Sequence, residues 1–146
     1  MKPAPITLLE YFVTDLTVSA NREYKAGEPA KYLETEFIAE PSVLKIPTET
    51  DPRRWQVTLN IKYVPTAGTN FPYAYNVVIV GIFHVEASVA PENEERTVRI
   101  QGASVLYGMA REIVRAMTGR GPHRAVLLPI VSFYDPPPPQ NQQAST

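Results

Sequence analysis

The sequence predicts an α+β protein: a four-stranded antiparallel sheet with one long C-terminal helix packed on it. Three stretches carry that expectation. From Arg53 to Val64, Trp55, Val57, Leu59, Ile61 and Tyr63 alternate with Gln56, Thr58, Asn60 and Lys62, the period of a strand with one dry and one wet face. Tyr73 to Ala87 holds Val77, Val78, Ile79, Val80, Ile82 and Phe83, a run apolar on both faces and therefore an interior strand. After Gly102 the period changes from two to about 3.6, with Val105, Leu106, Met109, Ile113, Val114 and Met117 on one helical face.

The remaining elements follow in chain order. Ile6 to Val18 is rich in β-branched and aromatic residues. Strict alternation would put Ile6, Leu8, Phe12, Leu16 and Val18 on one face and Leu9, Tyr11 and Val13 on the other. An N-terminal strand apolar on both faces implies a subunit contact, and Tyr11 and Val13 are its candidate residues. Asn21 to Pro29 is a polar crossing loop into a shorter strand, Lys31 to Ala39, in which Leu33 and Phe37 share one face and Glu34 and Glu36 the other. Pro41, Pro47 and Pro52 then mark a loop. Pro65 to Pro72 turns the third strand into the fourth as a long antiparallel hairpin, giving a meander-like order. Glu92, Glu94, Glu95 and Arg96 mark a turn before the helix, for which Ser104 is the expected N-cap and Gly119 the stop. Ala125 to Tyr134 is an apolar stretch broken by Pro129. Residues 1–135 form one domain, and residues 136–146, four prolines and a polar end, form a disordered tail.

Composition removes several classes of function. A chain of 146 residues can bury a real core, roughly 70% of its unfolded surface. With no cysteine there is no disulfide, thiolate metal site or cysteine nucleophile. The formal net charge is −1 and the basic residues are dispersed, which disfavours nucleic acid. The longest apolar run, Val77 to Phe83, is far shorter than the roughly twenty residues of a membrane helix, and the N-terminus lacks a signal-peptide pattern. The chain reads as soluble and cytoplasmic, without membrane insertion.

Three stretches in the right order resemble the SecB family of export chaperones. Tyr11 to Val18 is similar to that family's first strand: an aromatic, two residues, then Asp15, an aliphatic, Thr17 and an apolar residue. Gly81-Ile82-Phe83 resembles its fourth strand. Val105 to Val114, Arg120-Gly121, and Leu127-Leu128-Pro129-Ile130-Val131-Ser132-Phe133 follow its helix, turn and Leu-x-Pro-Val-Asn-Phe segment. Gly108 stands where family members usually carry proline, and Ser132 where they carry asparagine. The second helix that follows in family members is expected to be absent here, because Pro136 to Pro139 forbid it.

The resemblance implies an ATP-independent holdase for unfolded polypeptide clients, assembled as a homo-oligomer, a dimer or a dimer of dimers. It implies a client groove between the crossing loop and the second strand, for which Tyr24, Leu33, Phe37, Phe133 and Tyr134 are the candidate lining; ordinary core is the plain alternative. The family's docking patch for the SecA motor corresponds to Asp15, Ser19, Ala74 and Asn76, of which only Asp15 is charged. An antitoxin is the other partner the resemblance implies. On the helix, Leu106, Tyr107 and Met109 are candidates for a subunit interface, with packing on the chain's own sheet as the competing role.

Nothing points to catalysis, a metal or a cofactor. His84 and His123, the only histidines, lack a neighbouring nucleophile or metal partner in the sequence. Arg111, Arg115, Arg120 and Arg124 form a possible basic stripe, explained more simply as cations complementing a helix C-terminus. The competing functional reading is a structural or adaptor subunit that binds one specific protein, such as an antitoxin.

Overall fold

The computed structural model describes residues 1–30, 33–66 and 68–134. Strands β1 (Ile6–Ala20), β2 (Phe37–Lys45), β3 (Arg54–Tyr63) and β4 (Tyr73–Val85) form one antiparallel sheet in the order β1-β4-β3-β2. The chain crosses from β1 to the far edge and then meanders β2-β3-β4, which returns β4 beside β1. The expected β3–β4 hairpin is present, with Trp55 opposite Phe83 and Ile61 opposite Val77.

One face of the sheet is dry. Val57, Leu59, Ile61, Val77, Ile79 and Phe83 are fully buried there beneath a helical path. That path starts with a 3-10 turn, Pro91–Asn93, and continues through α1 (Glu94–Thr97), a π-helical turn (Val98–Gly102) and α2 (Ala103–Thr118). Val98, Ala103, Leu106, Ala110 and Val114 complete the core. Close approach requires glycine at two positions. A Cβ on Gly81 would stand 2.7 Å from the Phe83 ring and 2.9 Å from Leu106, and one on Gly102 would stand 2.9 Å from Val57. These bare backbones let the helix settle onto β3 and β4.

Three expectations are corrected. In β1, register shifts between Leu8 and Glu10 and between Val13 and Asp15 interrupt the alternation. Each inserts one extra residue, so the faces exchange twice. Ile6, Leu8, Tyr11, Val13, Leu16 and Val18 all lie on the helix side, opposite Val85, Phe83, Gly81, Ile79, Val77 and Tyr75, whereas Phe12 faces outward opposite Val80. The second strand begins at Phe37, after a 3-10 turn over Glu34–Glu36, and runs through Pro41 to Lys45. Ile46 donates its N–H to Arg54, so Ile46 and Arg54 form a hydrogen-bonded pair and the odd-numbered β2 residues point their backbone groups away from β3. Pro41 therefore costs the ladder nothing, as an edge strand allows. The helix begins more than two turns early. Ser104 Oγ donates to Ile100 O at 2.8 Å within the helix and caps nothing, while Gly119 N–H closes the C-terminus on Arg115 O at 2.9 Å as expected.

The charged cluster before the helix is not a solvated turn. Glu94 is 4% exposed and accepts from Trp55 Nε1 at 2.5 Å and Arg53 Nε at 3.2 Å, with Lys45 Nζ at 3.9 Å. Arg53 also donates to the carbonyls of Glu86 and Val89, tying the end of β4 to the helix start. The Pro-rich tail, where a second helix is expected to be absent, and the expected strand start at Lys31 and Tyr32 lie outside the described residues.

Candidate functional site

The helix covers β3 and β4 more fully than either edge, and the chain beyond it runs back along the β2 side as an extended segment. Side chains of α2 hold that segment by its backbone. Tyr107 donates its hydroxyl to Pro129 O, Arg111 Nε donates to Leu128 O at 3.3 Å, and Val126 N–H donates to Thr118 Oγ1 at 2.8 Å. Burial pushes the Tyr107 phenol up to about 12, so at neutral pH it remains a donor. Val126 and Leu128 are buried, and Val131 and Phe133 pack against the core, Phe133 edge-on to Tyr107 at 5.8 Å. The opposite side of the segment is open: Leu127 is 60% exposed, Ile130 88% and Tyr134 74%.

Two clefts flank it. One, of about 380 Å³, lies between Ala39 and Pro41 of β2, Arg99 and Ile100 of the π-helical turn, and Phe133 and Tyr134. The other, of about 390 Å³, lies between Tyr24 of the crossing loop, Phe71 and Pro72 before β4, and Val126 and Leu127. Its wall is built by reciprocal ties. His123 Nε2 donates to Asn21 O at 3.1 Å, its ring meets Tyr24 edge-on at 4.9 Å, and its backbone N–H donates to Tyr73 Oη at 2.9 Å. Asn70 exchanges two hydrogen bonds of 2.9 Å with the backbone of Lys25, fixing the crossing loop to the β3–β4 turn.

The five residues expected to line a groove do not meet in one cavity. Tyr24 belongs to the second cleft, and Phe133 and Tyr134 to the first. Phe37 is half-buried on the helix side of β2, two residues before Ala39. Leu33 is 37% exposed and donates its N–H to Tyr63 Oη at 3.3 Å. Ala39, Pro41, Ile100, Leu127 and Ile130 were missed as surface apolar groups. The alternation Phe37, Ala39, Pro41, Val43 carries the signal for two of them, once proline is admitted to an edge strand.

On the other face of the sheet, Asp15, Ser19, Ala74 and Asn76 come together. Ser19 lies opposite Ala74, and Asn76 Nδ2 donates to Asp15 Oδ2 at 2.9 Å. Of the expected interface residues, Tyr11 (51% exposed) and Val13 (37%) are open on the helix side of β1. Leu106 and Tyr107 correct the expectation: they are 0% and 5% exposed, packed into the chain's own core. Met109 is half-buried, and Val105 is the open apolar residue nearby.

His84 pairs with Asp51 at 2.8 Å and ties the loop of residues 46–53 to β4. No group of three or more metal-ligating side chains occurs among the described residues, nor any helix long and apolar enough to cross a membrane.

A four-stranded antiparallel sheet of this order with one long helix on its dry face is a SecB-like fold. The family model for the preprotein translocase subunit SecB matches residues 6–136, and the chain belongs to that family. No curated protein matches the sequence. Among solved structures, a SecB-like chaperone of Mycobacterium tuberculosis, determined in complex with a ChAD peptide from the HigA1 antitoxin, matches with a TM-score of 0.67 at 20% identity, over 89% of this chain and 93% of its own. A protein of unknown function from Streptococcus agalactiae matches with a TM-score of 0.55 at 14% identity, over 86% and 97%. At these identities the likeness is one of fold.

Proposed function

We propose that this protein is a holding chaperone that binds non-native polypeptides without ATP and catalyses no reaction. The observation that carries the reading is the returning segment, on which Leu127, Ile130 and Tyr134 stand open to water between two clefts. Apolar surface of this kind gains by being covered, and an unfolded chain offers side chains to cover it. Tyr24, Leu33, Phe37, Phe133 and Tyr134 are distributed along that side, so an extended client running from the crossing loop to the β2 edge touches them in succession. Several weak contacts along one client sum to firm retention.

Self-association belongs to the same reading. Tyr11 and Val13, with Leu16 beside them, are open on the helix side of β1, and Val105 is open on α2. A second copy covering this surface gives a dimer or tetramer. The family's SecA-docking patch is weakly represented: its one carboxylate, Asp15, already accepts from Asn76. That favours the second reading, in which the client is a segment of one specific protein such as an antitoxin, as in the M. tuberculosis complex.

The test is suppression of aggregation of a chemically unfolded client at stoichiometric ratio without nucleotide. Suppression supports holding; a folded sample that leaves aggregation unchanged sinks it. If only an antitoxin segment is retained, and especially if removing residues 136–146 abolishes its recovery, the specific adaptor is the correct reading.

A further inference from the structure

A strand at the edge of a sheet carries one row of backbone groups with no neighbouring strand to bond them. In β2 that row belongs to the odd-numbered residues, because Ile46 bonds Arg54 and the even-numbered residues face β3. The N–H and C=O groups of Ala39 and Val43, and the C=O of Pro41, have no hydrogen-bond partner among the described residues. The returning segment does not supply one. Ser132, Phe133 and Tyr134 line the cleft beside Ala39 and Pro41, yet among the described residues no backbone hydrogen bond joins them to β2.

Donors and acceptors alternating at strand spacing match one kind of occupant, another extended backbone. Cross-strand neighbours share a face, so an added strand turns every second side chain toward the helix side. There the cleft of about 380 Å³ offers Ile100, Phe133 and Tyr134. A second copy of β2 fits this edge poorly. The strand runs from Phe37 to Lys45 with Pro41 at its midpoint, so a twofold pairing about that midpoint opposes Pro41 to Pro41, and neither has an N–H to give. A client strand brings its own donors and forgoes only the bond that Pro41 cannot donate.

We propose that the outer edge of β2 binds an unfolded client as an added strand, and that Pro41 keeps the added ladder weak enough for release. The inference deepens the holding reading and rests on it: the clefts supply apolar contacts, and the edge supplies recognition of backbone that is blind to sequence. Ala39 and Val43 bond the client on either side of a position that accepts but does not donate. An unbroken edge would be a template for persistent pairing and aggregation, which an edge proline blunts.

Two changes test this on the full chain, both read by fluorescence anisotropy of a labelled peptide that alternates apolar and threonine residues. N-methylation removes backbone donors and leaves side chains in place. Methylating one alternate set of residues should weaken binding roughly tenfold, whereas methylating the other set, whose N–H groups point away from β2, should change it little. Pro41→Val restores the missing N–H at a half-buried edge position suited to a β-branched residue, and should slow peptide dissociation about fivefold. Equal effects of the two methylated sets, or a folded Pro41→Val chain that releases the peptide no more slowly, overturns the proposal and leaves holding by the clefts intact. So does a Pro41→Val chain that gains mass by light scattering without slower release, since the edge then pairs copies of the protein. If Pro41→Val does not fold, the two methylated peptides decide alone. A chain that retains an unfolded client but not the unmethylated peptide overturns the edge proposal only; one that retains neither overturns both readings.

Discussion

Replacing Glu94 by alanine tests the packing at the helix start quantitatively. The carboxylate is 4% exposed and joins three elements: Trp55 on β3, Arg53 before it, and the first turn of α1. Without it, the Trp55 indole N–H, on a residue 8% exposed, loses its acceptor, and an unsatisfied buried donor costs about 1–3 kcal/mol. Arg53 keeps the Glu86 and Val89 carbonyls and loses only its charged acceptor, about 1 kcal/mol more. The expected loss is therefore about 2–4 kcal/mol, a large share of the 5–15 kcal/mol typical of a domain. Glu94→Gln retains an acceptor for the indole and should lose about half as much. Trp55 is the only tryptophan, so urea unfolding followed by its fluorescence reports directly on this junction. Protomer concentration must be held fixed, since self-association adds to apparent stability. A shift below about 0.5 kcal/mol for Glu94→Ala, with m unchanged, would refute the assignment of Glu94 as the tie between sheet and helix.

Three further outcomes follow from the same geometry. Gly81→Ala drives a methyl to 2.7 Å from the Phe83 ring and 2.9 Å from Leu106, and should cost about 1–3 kcal/mol, read by the same urea titration. The Tyr107 phenol is raised by burial from its ordinary value near 10 to about 12, so the unfolded chain ionises first. Stability from this group is complete below pH 10 and is lost as pH rises toward 12, by about 2 kcal/mol; Tyr107→Phe should flatten stability over that window, measured by thermal unfolding in a pH series. Ile130→Ser and Tyr134→Ser, at open positions, should leave urea midpoints unchanged while raising the amount of protein needed to suppress client aggregation several-fold.

The fold was legible where period and burial agree. β3 and β4 each present one uninterrupted pattern, and the structure keeps both; in α2 the helical period holds but the buried face is turned toward Ala103, Leu106, Tyr107, Ala110 and Val114, which leaves Val105 and Met117 exposed. β1 was misread because a bulge leaves no mark in composition: Leu9 and Thr14 look like any other residues of an apolar strand, yet each shifts the faces by one. The helix start was misread because Glu92, Glu94, Glu95 and Arg96 look solvated. Pro91 followed by acidic residues is equally the signature of a helix N-terminus, and Glu94 is buried because Arg53, Trp55 and Lys45 reach it from across the sheet. Tyr24, Phe133 and Tyr134 were expected as groove lining from the family resemblance alone, and each lines a cleft. Their division between two clefts depends on the path of the returning segment, fixed by Tyr107, Arg111 and Thr118 through contacts no local pattern encodes.

The central claim is that this chain retains unfolded polypeptide on its helix-side clefts. Size-exclusion chromatography with light scattering, on the protein alone and mixed with a chemically unfolded client, tests it most directly. The account predicts an oligomer that carries the client through the column without nucleotide. A folded monomer that elutes apart from the unfolded chain would contradict it.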